Sequence, residues 1–286
     1  MAAEHVQAVS TTAGRAAEAR RGARRWTSGL GLLAAQILLG LALLAFWEVA
    51  SGTLIDSFFV SKPSLVLREL SGQIAGGGLW NDLFVTIVQE TLVGYAVGSL
   101  LGVLLGFLLA QAPTAAKILN PYLMAINGIP RIALAPLFLV WFGIGLASKI
   151  WLGGMMAFFL TFFNTFAGVG GVDQGLKNVA RVMGASRLQV LLKVVLPAST
   201  PWIVAGLRLG FPYALVAAVV GEMVMSTAGI GHRIIAATQV FNVTGTMAGV
   251  LVLMAVVMLV NWLLDRAEAH LLRWRPAGPE ASSTQG

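Results

Sequence analysis

The stretch VARVMGASRLQVLLKVVLPASTP, residues 179–201, sets Arg181, Arg187 and Lys193 among evenly spaced Val, Leu and Met. Just upstream, Asp173 is placed to cap a helix, and Leu176, Val179 and Met183 fall at i, i+3 and i+7 on one face of it. Gly184 suits the left-handed position that ends such a helix. Ser186 followed by Gln189 reads as a capping box that opens a second helix. In that helix Leu188, Leu191, Leu192 and Val195 make a single apolar stripe, and Pro197 and Pro201 mark the turn into the next element. Periodicity leaves three uses open for this two-faced pair. It could lie on anionic lipid, pack only on its own protein, or fill a groove on a soluble partner.

The surroundings decide the fold class. Of 286 residues, 57% are hydrophobic and 11% charged, and the mean hydropathy is +0.83. A soluble domain carries about 25% charged residues, so too little polar surface is available to face water. Apolar runs occupy residues 30–47, 91–116 (extended backwards by 83–89), 118–147, 150–172, 209–221 (extended by 222–224) and 243–264. Each is near the roughly 20 residues a helix needs to cross the hydrocarbon. The third is interrupted by Asn120, Pro121, Pro130, Arg131 and Pro136. The reading is an all-α integral membrane protein of about six transmembrane helices.

Basic residues give the orientation. With the N-terminus in the cytoplasm, Arg15, Arg20, Arg21, Arg24, Arg25, Lys117, Lys177, Arg181, Arg187, Lys193, Arg266, Arg273 and Arg275 are inside. Only Lys62, Arg68, Lys149 and Arg233 are outside. The net charge of +7 thus follows from a positive-inside bias and calls for no nucleic-acid partner. The expected organisation is a cytoplasmic basic tail at 1–28, a first transmembrane helix at 29–50 and a periplasmic segment at 51–82. A core at 83–268 contains the cytoplasmic loop at 173–201, and a cytoplasmic tail occupies 269–286. A basic segment before an apolar one also describes a signal peptide. The run at 30–47 is long and no A-x-A site follows it, so it reads as a retained anchor.

Inside the spans, Gly94, Gly98, Gly102 and Gly106 recur every four residues, a face that lets another backbone approach closely. Pro130 and Pro136 each remove a backbone donor. Irregular backbone at membrane depth must face protein or a wet cavity, so the third run is either a kinked helix or part of a pathway. Charged residues in a span are costly and face the interior. Glu222, Arg131 and Pro130 are candidates for the lining of a polar path. Glu90 and Arg208, near span ends, are read as structural groups that snorkel to the interface.

Other chemistry is poorly represented. Cysteine is absent, so no thiolate metal site exists, and the three histidines His5, His232 and His270 are scattered. No metal ligation is expected. No G-x-x-x-x-G-K-[ST] occurs, so the chain is not expected to hydrolyse ATP itself. An intramembrane enzyme would need a nucleophile–base pair or a metal cluster, and none stands out.

Ala180, Gly184, Val194, Leu196 and Pro197 resemble the EAA loop of ABC-importer permeases, E-A-A, three residues, Gly, nine residues, I-x-L-P. With IPRIALAPLFLVWFGIG and GLRLG…VVGEM in the same order, residues 59–274 look like the nitrate, sulfonate and taurine branch of those permeases. The sequence departs from the pattern at its first two letters, where Asn178 and Val179 replace Glu and Ala. The resemblance implies a MetI-like permease bundle with both termini cytoplasmic, multi-pass in the bacterial inner membrane, with no enzymatic activity of its own. It also implies a pair of permease subunits, here a homodimer, and cytoplasmic ABC ATPase subunits that bind ATP and Mg, leaving no cofactor in this chain. A periplasmic solute-binding protein would deliver the solute. Asn178, Ala180, Gly184, Ala185, Ser186, Leu196 and Pro197 would form the loop that docks on the ATPase. The alternative is a stand-alone secondary transporter driven by an ion gradient, for which Glu222 would be the proton relay. That class often repeats its broken helix, and only one such region is visible.

Overall fold

The computed structural model describes residues 29–271 apart from 225. The basic tail expected at 1–28, and Arg273 and Arg275, lie outside the described residues. In chain order the helices are α1 (Gly29–Ala50), α2 (Pro63–Ala75), α3 (Gly78–Ala110), α4 (Pro113–Asn127), α5 (Ala135–Phe142), α6 (Leu146–Gly170), α7 (Gln174–Val182), α8 (Arg187–Val224), α9 (Ile230–Gln239) and α10 (Val243–Leu271). One isolated bridge, Ser51–Ile55, is the sole strand-like pairing among the described residues. Five of the helices are long and apolar enough to span a bilayer. The bent pair Pro113–Asn127 and Arg131–Phe142, at 79°, makes a sixth if counted as one span.

The described residues divide into two compact units, one ending at Ser64 and one beginning at Leu65. In the first, α1 is apolar on every face. Its one acidic residue, Glu48, accepts hydrogen bonds from the Ser64 amide (3.0 Å) and hydroxyl (2.7 Å), and Asp56 caps a single turn through the Phe58 amide. These contacts satisfy backbone donors at the starts of that turn and of α2.

The second unit is built around α6, which packs along α3 and α8. At 25 residues, α6 is about 38 Å long. The glycine face of α3 makes the closer seam. A Cβ on Gly94 would stand 2.6 Å from the Ile150 carbonyl oxygen, and one on Gly106 would stand 2.6 Å from that of Phe162. Gly98 and Gly102 face Gly154 and Phe158 in the same way. The opposite face of α3 carries the exposed Leu100, Leu104 and Leu108. In lipid, where burying apolar surface yields little, this backbone-to-backbone packing holds the helices together. Ala135, Phe138, Leu152, Met156 and Ala217 form a core between α5, α6 and α8. Leu79, Ile230, Ile234 and Val252 form another between α3, α9 and α10.

Two features of α8 differ from the sequence reading. No turn occurs at Pro197 or Pro201, and the helix runs unbroken from Arg187 to Val224 with Pro201 and Pro212 inside it. A wider π segment, Leu191–Val195, immediately precedes Pro197. It relaxes the i−4 register that a proline ring would clash with. The hydroxyls of Ser199 and Thr200 then donate to the Leu196 carbonyl at 3.1 and 2.9 Å. Helix α9, which lies between α8 and α10, has no counterpart among the apolar runs because its ten residues are too few to read as a span.

Candidate functional site

Two groups of charged side chains and one loop are candidates for function. The first group sits where α3, α6 and the end of α8 meet. Lys149 Nζ lies 2.6 Å from Glu90 Oε1 and donates to Ser226 Oγ at 2.8 Å. Lys149 is 5% exposed and Glu90 fully buried, with Glu90 Oε2 unpaired. One turn earlier on α3, Thr86 donates to Glu222 Oε1 (2.7 Å) and accepts from the Ile230 amide (2.9 Å). The other Glu222 oxygen accepts from the Gly231 amide at 2.6 Å. Gly229 turns with φ +106° directly against the Glu222 carboxylate, which leaves no room for a side chain. Asp82 extends the network, accepting from the Gly229 amide (2.9 Å) and from Arg233 Nε (2.8 Å).

Glu222, read as a candidate path residue, is buried and tied through Thr86 and the Gly231 amide to the N-terminus of α9. Glu90 is also unlike its reading, because it does not snorkel. It is completely buried and answered by Lys149. The sequence places Lys149 outside the apolar run that begins at Ile150, whereas the helix starts at Leu146 after the break at Gly143–Gly145 and carries Lys149 into the core. The pairing of Asp82 with Arg233, and the roles of Thr86 and Ser226, are likewise absent from the sequence pattern. Their partners lie far along the chain, and no local spacing signals them. Arg208 is half exposed and pairs with Asp265 (2.5 Å) and Glu268 (2.9 Å) on α10.

The second group is Arg131, at the break between α4 and α5. Pro130, with ψ 90°, ends the helical path and a single 3₁₀ turn, Arg131–Leu134, restarts it. The guanidinium donates through Nη2 to the Asn127 side-chain oxygen and stacks 4.6 Å from the Phe159 ring centre. Its Nε is buried without a partner, and among the described residues it pairs with no carboxylate. Pro130 and Arg131 line a cavity of about 310 Å³ with Asn127, Met156, Leu160 and Tyr213. Placing an arginine within a span costs about 2.5–3.5 kcal/mol, so an unpaired one needs a compensating environment.

The loop lies at the opposite end of α6 and α8 from Lys149 and Glu222. Asp173 caps α7 through the Gly175 amide (2.7 Å), Gly184 takes φ +86°, and the Ser186–Gln189 capping box is complete. Ala180 and Ala185 are partly buried against Val169, Val172, Val190 and Val195. The apolar stripe of the second helix is divided. Leu191 and Val195 turn inward, while Leu188 and Leu192 are exposed. The outward face also carries Leu176, Val179, Val182 and Met183, the last two 88% and 82% exposed. Asn178 is exposed and accepts from Arg181 Nη1 at 3.3 Å. Leu196 and Pro197 follow the π segment in the continuous α8.

Known proteins resemble this chain in sequence and in fold. The family model described as binding-protein-dependent transport system inner membrane component matches residues 98–275. The putative aliphatic sulfonates transport permease protein SsuC of Bacillus subtilis is 32% identical over 278 residues, 96% of this chain and 98% of that protein. The taurine transport system permease protein TauC of Escherichia coli is 32% identical over 242 residues, covering 82% and 87%. Among solved structures, a chain of the MetNI methionine ABC transporter in an inward-facing conformation superposes with a TM-score of 0.53 at 24% identity. The match covers 70% of this chain and 97% of that one, and it shows the fold. With a multi-span helical body, a capped helix–glycine–helix loop and full-length relatives of one kind, the chain belongs to the inner-membrane permease family of binding-protein-dependent ABC importers.

Proposed function

We propose that this chain is the transmembrane permease subunit of an ATP-driven importer and forms the path for a small sulfonate- or taurine-type solute. In this reading two copies of the chain form the path, and cytoplasmic ABC ATPase subunits bind ATP with Mg. A solute-binding protein delivers cargo from the other side, and both termini face the cytoplasm. The solute class is carried over from the sulfonate and taurine relatives.

One observation supports the partner most directly. Val182 and Met183 expose an apolar face on a loop whose inner face is rooted in the core and whose second helix is α8 itself. Exposed anchors on a short capped helix suit a groove on a soluble partner. A ligand shifts a conformational equilibrium only through its differential affinity for the two states. Energy from ATP bound elsewhere must therefore arrive through a packed, rigid contact of this kind.

The test is copurification with the ATPase subunit. Met183→Glu, at an exposed position, is expected to weaken that association at least tenfold while the permease still inserts. Gly184→Arg, which strains the left-handed turn, is expected to abolish it. A normal complex with both variants would remove the docking role. Uptake by the isolated chain in vesicles, driven by an ion gradient alone, would favour the stand-alone transporter instead.

A further inference from the structure

We propose that Arg131 is an anion-binding residue for the solute in transit, receiving an acidic oxyanion head of the sulfonate type at the break between α4 and α5. The inference rests on the permease reading and adds a residue and a charge rule to it.

Three independent features of the site meet here. The guanidinium is fixed but not neutralised. Asn127 holds Nη2 and the Phe159 face backs the plane, yet no described carboxylate answers the charge and Nε–H has no acceptor. The side chain lies beside open space, since Asn127, Pro130, Met156, Leu160 and Tyr213 bound a cavity of about 310 Å³ with it. That is the scale of a small organic acid. The backbone at the site is irregular, with Pro130 and a 79° bend interrupting the helices. Such backbone is tolerated at membrane depth where it lines a cavity.

Arginine presents a planar fork of N–H donors that matches the oxygens of a carboxylate, phosphate or sulfonate. An unpaired guanidinium beside an apolar-walled cavity favours a ligand that brings its own negative charge and oxygen acceptors. It disfavours a cation by like-charge repulsion. The Asn127 amide and the Phe159 ring hold the plane in place, so less ordering is required when a solute arrives. The apolar Met156 and Leu160 walls suit a short aliphatic tail behind the acidic head.

The experiment uses the complete transporter, permease with its ATPase and binding protein, in proteoliposomes loaded with ATP. The probe is radiolabelled ethanesulfonate. Arg131→Gln is expected to reduce ATP-dependent uptake at least tenfold, and Arg131→Lys, which keeps the charge without the fork, to retain an intermediate rate. Wild-type uptake by Arg131→Gln overturns the proposal. Equal loss in the Gln and Lys variants also overturns it, because the positive charge would then contribute nothing to uptake. Stimulation of ATP hydrolysis by the binding protein in the unmodified complex reports separately on the permease reading. Its absence defeats that reading and the inference with it. Its presence without ethanesulfonate uptake defeats only the anion assignment.

Discussion

Lys149 and Arg131 are both basic residues within the helical body, and the protein treats them in opposite ways. Lys149 is 5% exposed, 2.6 Å from a buried carboxylate, with a hydroxyl as its second acceptor. Arg131 has an amide oxygen and an aromatic face, no carboxylate, and a cavity beside it. A charge answered from within the chain ties helices together, and removing either partner leaves the other stranded. A charge left unanswered contributes little to the fold and is available to something from outside. The contrast separates fastening from function without any appeal to position along the chain.

Stability measurements on the detergent-solubilised protein can break or sharpen that contrast. The largest effect is expected for Lys149→Met. It strands Glu90 in a fully buried site, and breaking such a pair costs about 3–5 kcal/mol. The double variant Lys149→Met with Glu90→Met should recover most of the loss, as replacing both members of a buried pair by apolar residues often does. A single variant as stable as the parent would show the pair to be idle.

An intermediate loss is expected for Glu222→Gln. The carboxylate accepts from Thr86 and from the Gly231 amide on separate oxygens. A glutamine amide turns one of those acceptors into a donor, at a cost of about 1–3 kcal/mol. Hydrogen exchange at the Gly231 and Ile230 amides should quicken, and unchanged protection there would place Glu222 outside the network's energetics. Arg131→Gln should move the unfolding midpoint least, by an equivalent of about 1 kcal/mol or less. A large destabilisation would place Arg131 with Lys149 as a fastening group.

Much of this architecture is legible in the residues alone, and the reason is local geometry. The four-residue spacing of Gly94, Gly98, Gly102 and Gly106 fixes a common helical face wherever the partner lies. Asp173, Gly184, Ser186 and Gln189 are read from capping chemistry within a few residues. The break at Pro130 follows from a missing backbone donor. What stayed hidden depends on distant partners. The sequence puts Glu90 near a span end because nothing close to it announces Lys149, and the Asp82–Arg233 pair joins α3 to α9. The continuity of α8 through Pro197 depends on the π segment, which has no compositional signature.

Helix α8 joins the loop at Arg187 to the network at Glu222 as one element. Its 38 residues make a rod about 57 Å long, and a tilt of roughly five degrees about one tip sweeps the other through about 5 Å. Hydrogen bonds near 2.7 Å do not survive such a sweep. A tilt of α8 as one piece from the Ser186 end is therefore expected to disturb the hydrogen bonds to Thr86 and Gly231.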